Sequence, residues 1–114
     1  MAVAELEAGS YTDTPSTTWD TINTTTPQTT DGAFQFFADV ANLAAGEVFE
    51  IRVIEKVQNS SGTQREAWRV CLNGVQDKPC VYSPTLLLLH GWDFQMRQIN
   101  GTGRAIPWSI RYAT

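Results

Sequence analysis

The chain is poor in the residues that most often carry chemistry. It has one histidine, His90, and two cysteines, Cys71 and Cys80. A Ser-His-Asp catalytic set would have to be built on that single imidazole at the end of a strand, where a histidine is usually structural. Two cysteines with no pair of histidines nearby do not make a zinc site. Charge is also scarce: charged residues are 18% of the chain and the net charge is −4. A domain that holds nucleic acid by neutralising phosphates is therefore not expected, nor is a polybasic membrane binder. The run Leu86-Leu87-Leu88-Leu89 is strand length, far short of the roughly 20 apolar residues that span a bilayer. The N-terminal stretch Met1-Ala2-Val3-Ala4-Glu5-Leu6-Glu7 is acidic and lacks the cationic and apolar regions of a secretion signal. Synthesis in a cytoplasm is expected, with Cys71 and Cys80 as thiols rather than a bridge across a hairpin-like loop.

What is present is a period of two. A chain of 114 residues makes one domain with a two-layer core. From Phe34 to Tyr112 apolar and polar residues alternate, most clearly in Val48–Val57 and Trp92–Gln98. Neighbouring side chains on a strand point to opposite faces, so this pattern predicts strands with one dry and one wet face. Strands are expected at 33–40, 48–57, 63–72, 85–89, 92–99 and 104–112, with turns at Gln58–Gly62, Asn73-Gly74 and Asn100–Gly103. Phe49, Ile51, Val53 and Val57 are expected to share the inner face of one strand, opposite Glu50, Arg52, Ile54 and Lys56. The continuous run Thr85–Leu89 suits a strand covered on both faces. Pro107 implies an edge position or a bulge. The fold class read from this is all-β: an antiparallel β-sandwich or jelly roll of about seven strands.

The leader, residues 1–31, reads differently from the sandwich at 32–114. It is rich in threonine and interrupted by Pro15 and Pro27. Threonine favours extended backbone and proline is excluded from central strands, which leaves an edge strand or an extended N-terminal arm. Its few anchors, Tyr11, Trp19 and Ile22, make it a candidate partner-binding arm that adds a strand to a neighbour. Such an arm would be dispensable for folding of the remainder. Arg52, Lys56, Arg65 and Arg69 fall on outward positions of two neighbouring strands and form a basic stripe, the second candidate contact. Trp68, Trp92 and Trp108 share the register of Val70, Phe94, Met96, Ile106 and Ile110, the pattern of core residues. The alternative for those indoles is the exposed face of a carbohydrate-binding module.

Candidate chemistry is thin. Glu50, Glu55, Glu66 and Asp93 do not fall together as an acid pair for glycoside hydrolysis. Gly101-Thr102-Gly103-Arg104 offers backbone N–H groups and a cation to an anion, but it lacks the strand-to-helix setting of a phosphate loop and reads as a hairpin turn. No catalytic residue, cofactor or metal site is assigned.

Gly46–Val57, Gly62-Thr63-Gln64-Arg65, Ser83-Pro84-Thr85-Leu86, Gly91-Trp92-Asp93 and Gly101–Arg111 resemble segments of a small-protein family that recurs in tailed bacteriophages. The resemblance runs from about Phe34 to the C-terminus and leaves out the threonine-rich leader. It implies a non-enzymatic virion structural protein, similar to the capsid decoration (cement) proteins with sandwich or jelly-roll folds. On that footing the partner is the major capsid protein. The chain is expected to be a homo-oligomer on the capsid surface, first of all a trimer, because shells offer local threefold sites. A tail, baseplate or head-completion component of the same fold is the alternative.

Overall fold

The structure, a computed structural model, describes residues 2–58 and 62–113. Residues 59–61 of the expected turn lie outside it. The described residues form nine strands and no helix: β1 (Val3–Tyr11), β2 (Asp20–Thr21), β3 (Gly32–Asp39), β4 (Val48–Lys56), β5 (Gln64–Asn73), β6 (Cys80–Tyr82), β7 (Leu86–Leu88), β8 (Trp92–Gln98) and β9 (Ile106–Ala113). They make two antiparallel sheets. Sheet A has the order β1-β9-β3-β6, with β7 also on β3; sheet B has the order β2-β8-β4-β5. The all-β sandwich expected from the alternation is the fold observed.

The core forms where the two inner faces meet. Sheet A contributes Phe34, Phe36, Ala38, Ile106 and Ile110; sheet B contributes Phe49, Ile51, Val53, Trp92, Phe94 and Met96. Rings interlock across the gap: Phe34 and Phe36 lie 4.8 and 5.5 Å from Trp92, and Phe36 lies 4.9 Å from Phe94. Each such side chain stabilises the fold by about 1.5–3 kcal/mol through burial, and tilted or edge-on rings add to that. Trp68 and Trp108 pack part-buried against this cluster, so three of the four indoles serve the core.

Four expectations need correction. Val57 is 81% exposed, because β4 ends at Lys56 and Val57 has no sheet to face. The leucine run is not covered on both sides. Strand β7 pairs only with β3, and Leu88 is buried while Leu87 is 82% exposed, the alternation of an edge strand. Pro107 is on β9, which runs between β1 and β3 rather than at an edge. It is tolerated because the ladder with β3 ends at the pair Ala38–Trp108, so Pro107 has a neighbour only on the β1 side.

The fourth correction concerns the leader. It is extended, but it is built into its own domain. Strand β1 pairs with β9 from Val3–Ala113 to Tyr11–Ile106, with a bulge between Glu5 and Glu7. Residues 16–28 then run along β8. Ser16 N–H donates to the Gln98 carbonyl at 2.9 Å, Ile22 N–H to Phe94 at 2.7 Å, and Gln28 and Trp92 exchange two bonds of 2.9 Å. Between them Asn23, which is buried, accepts from Phe94 N–H at 2.8 Å and donates to Asp93 at 2.9 Å. A threonine-rich segment has little apolar area to bury, and here main-chain hydrogen bonding to an unpaired strand supplies the attachment instead.

Two outcomes follow for stability. Trp92→Ala is expected to cost about 3–5 kcal/mol, the range for a buried aromatic replaced by a small residue, read from denaturant unfolding. Removal of residues 1–28 is expected to abolish the cooperative thermal transition. A truncated chain that melts within a few degrees of the full one would show the leader to be an accessory.

Candidate functional site

Three places combine polar chemistry with access: a loop that holds an anion, the outer face of sheet B, and the outer face of sheet A.

The loop is Gly101–Arg104, and the anion it holds is the protein's own. The Glu47 carboxylate accepts Thr102 N–H at 3.0 Å and three hydrogen bonds from Nε and Nη2 of the Arg104 guanidinium, with Ala44 N–H at 2.8 Å as a further donor. The loop is shaped for this. Gly101 has φ +80°, and a Cβ there would sit 2.5 Å from a Glu47 oxygen; one on Gly103 would sit 2.2 Å from the Asp13 carbonyl oxygen. Gln98, fully buried, ties the loop's base by donating to the Asn100 and Thr102 carbonyls and accepting Arg104 N–H. The Arg104 hydrogen bonds, and then the Ala44 N–H, lower the Glu47 pKa to about 2 against the opposing effect of burial.

The outer face of sheet B collects most of the residues singled out in the sequence. Arg52 donates to Gln95 at 2.8 Å and to Glu66 at 3.0 Å. Arg69 pairs with both Glu50 and Glu66. Arg97, which the sequence reading passed over, pairs with Glu50 at 2.6 Å. Burial opposes ionisation of Glu50, but hydrogen bonds from Arg69 and Arg97 outweigh it and hold the carboxyl below its usual range. Trp19 lies across this layer, with Arg97, Arg52 and Arg69 at 4.1, 4.2 and 5.3 Å from its ring. The basic stripe is thus corrected: its Arg52 and Arg69 are matched by carboxylates and capped by an indole. Trp19 anchors the leader to its own sheet. Arg65 is exposed at the start of β5, beside Glu55 in register. Lys56 is part-buried at the end of β4.

The other two anchors also turn inward. Tyr11 packs against the core and donates to Asp20 at 2.6 Å. Burial, then that hydrogen bond and the nearby Asp13 and Asp20 charges, push its hydroxyl pKa up. Ile22 packs against the core as well. The acids considered for catalysis are each occupied: Glu55 accepts Leu89 N–H at 2.6 Å, and Asp93 accepts from Asn23 and Gln64. Cys71 is on β5 of sheet B and Cys80 on β6 of sheet A, both exposed thiols. The hairpin that a bridge would need does not exist.

The outer face of sheet A was missed by the sequence reading. Its outward positions include Val3 on β1, Phe37 on β3, Arg111 on β9, Tyr82 on β6 and Leu87 on β7, as the strand registers require. Val3, Tyr82 and Leu87 are 68%, 60% and 82% exposed. Phe37 stacks with Tyr82 at 5.5 Å and carries the Arg111 guanidinium 3.9 Å above its ring. Around them lies a hollow of about 410 Å³, walled by Val3, Ala33, Phe34, Phe37, Arg111 and Tyr112. A smaller one of about 190 Å³ adjoins it beside Asp39, Cys80 and Trp108. One signal was available in the sequence: Phe37 follows Phe36, so one of two adjacent phenylalanines on a strand must face outward.

Glu47 gives a pH test. Its pKa in the folded chain, about 2, lies below its ordinary 4.5. Its contribution to stability is therefore complete above about pH 4.5 and is lost as pH falls toward 2. Glu47→Gln is expected to lower the urea midpoint at pH 7, and the gap from the parent chain is expected to close near pH 2. A gap that stays constant across that range would remove the ion pair as its cause. No protein family, curated protein or solved structure matches this chain.

Proposed function

We propose that the chain is a non-enzymatic structural protein of a virion, in the first place a decoration protein that docks on a shell of major capsid protein through the outer face of sheet A. The observation that carries docking is one sheet face that holds exposed Val3, Tyr82 and Leu87 together with part-exposed Phe37, and a hollow walled in part by Val3 and Phe37. Clustered apolar side chains on a surface are costly in water and mark contact sites. The outer face of sheet B supports the same choice by contrast, since its Arg52, Arg69 and Arg97 are already paired with Glu50 or Glu66 and covered by Trp19. The virion assignment rests on the resemblance, from about Phe34 to the C-terminus, to small tailed-phage proteins. A tail or baseplate position uses the same face. A repeating shell suits a shallow surface, because many weak contacts made together give large overall affinity.

The carbohydrate-module reading draws on the same Phe37 and Tyr82. It is the weaker one: the Phe37 ring is already engaged by Arg111 and by Tyr82, which leaves less open aromatic surface for a sugar to stack on.

The test uses particles purified from cells that carry the gene in its native genome. The parent chain is expected to co-sediment with assembled shells. Phe37→Glu and Leu87→Glu, at exposed or part-exposed positions, are expected to keep the parent's melting behaviour and to bind at least about tenfold more weakly, about 1.4 kcal/mol. Absence of the parent chain from particles, or equal binding by both variants, would overturn the proposal.

A further inference from the structure

Arg111 is placed unlike the paired arginines Arg52, Arg69 and Arg97 of sheet B. Arg52, Arg69 and Arg97 each meet a glutamate within 4.0 Å, as Arg104 does in its loop. Arg111 has no such carboxylate among the described residues. Its Nε donates to Ser109 Oγ at 3.2 Å, and Ser109 Oγ in turn donates to Glu5 at 2.6 Å. Glu5, the acidic residue opposite it on β1, is thus bound to the serine rather than to the guanidinium. The group lies 3.9 Å over the Phe37 ring, while Nη1 and Nη2 make no hydrogen bond within the described chain.

Among the described residues that guanidinium is also the single charged group lining the 410 Å³ hollow. The rest of the wall is Val3, Ala33, Phe34, Phe37, Tyr112 and Ala113, with Gln35 and Thr85 as the polar members. Apolar walls with one oriented cation are a mixed demand: an occupant must bring an apolar group and a negative one, close together. Arginine suits the second half of this, because its fork meets a carboxylate with two parallel bonds and it is more weakly hydrated than an ammonium. A hollow of this size is near the lower end of ligand pockets, enough for a short segment and not for a folded surface.

We infer that the larger hollow on sheet A receives a partner-protein segment that presents an apolar side chain next to a carboxylate, either an acidic residue or a chain end, with Arg111 as the specificity-determining contact. This rests on the docking face proposed above and names the chemistry it selects. A lipid surface is disfavoured by charge: the chain's net charge is −4, and one arginine is far from the basic cluster that anionic membranes attract. The carboxylate makes two charge-assisted hydrogen bonds with Nη1 and Nη2. The apolar side chain covers Val3, Phe34 and Tyr112, and water leaves the hollow.

The test uses the full chain, labelled with 15N, and two capped tripeptides, leucyl-leucyl-glutamate and leucyl-leucyl-glutamine. The glutamate peptide is expected to shift the amide signals of Ala33, Phe37 and Tyr112 and to bind about fivefold or more tightly than its glutamine counterpart, as a charge-assisted pair predicts. Arg111→Gln is expected to erase that preference, and Arg111→Lys to retain part of it, with unchanged melting as the control on folding. Should the glutamine variant fail to fold, the lysine variant and the parent's response to the two peptides decide. Equal binding of both peptides overturns the inference, as does absence of shifts at about 10 mM peptide, a concentration weaker than useful recognition. Stronger shifts with decanoate than with peptide would assign the hollow to a lipid, and shifts that track protein concentration with a dimer in sedimentation would assign it to a second copy; either overturns it. Shell binding without peptide discrimination would sink this inference and leave the proposed function standing, whereas discrimination by a chain that never co-sediments with shells would do the reverse.

Discussion

The structure depends on Trp92. Its ring is fully buried between Phe34 and Phe36 of the opposite sheet, its indole N–H donates to the Thr30 carbonyl at 2.9 Å, and its backbone exchanges two hydrogen bonds with Gln28. One residue therefore joins sheet A, sheet B and the leader. A ring of this size fills the inter-sheet gap while its one polar atom reaches a carbonyl at the rim, which removes the penalty of burying an unpaired donor. Trp92 thus adds its backbone and its ring nitrogen to the other bonds that hold the leader on β8 and β9.

From that junction the two outer faces take opposite characters. On sheet B the central long polar side chains are turned toward one another: Glu50 serves two arginines, Glu66 two more contacts, and Trp19 lies over the guanidiniums. Such a face satisfies itself and gains little by meeting a partner, since the charges would have to give up bonds they already have. On sheet A the outward residues have fewer internal partners, and water is left against Leu87, Val3 and Tyr82. The asymmetry turns a symmetric architecture into one with a front and a back.

How much of this was legible follows the distance over which each feature is decided. Alternation is local, so Phe49-Ile51-Val53 and Phe94-Met96 announced their burial, and the sandwich with them. The Trp68, Trp92 and Trp108 core was legible for the same reason. The fate of the leader was not, because threonine says only that the backbone is extended; which edge it joins is set by the vacant side of β8, some 70 residues away in sequence. The basic stripe misled because period two shows which residues share a face on one strand and not what the adjacent strand places beside them. Arg97 and Glu50 come from strands whose neighbourhood only the topology reveals. The anion loop was half legible: its donors could be read off Gly101–Arg104, while its occupant, Glu47, sits at the start of another strand.

The placement of the two thiols has a consequence for handling and for engineering. Cys71 lies opposite Glu50 on the outward register of one sheet, and Cys80 opposite Asp39 on the outward register of the other. Stacked sheets are about 10 Å apart, beyond the Cα separation that a disulfide tolerates, so one molecule cannot close on itself. Under oxidation each molecule is instead a bifunctional monomer, capable of linking head to back into linear concatemers. The same arrangement supplies two orthogonal attachment points, one on each broad side of the slab, for probes that report on the front and the back of the protein independently.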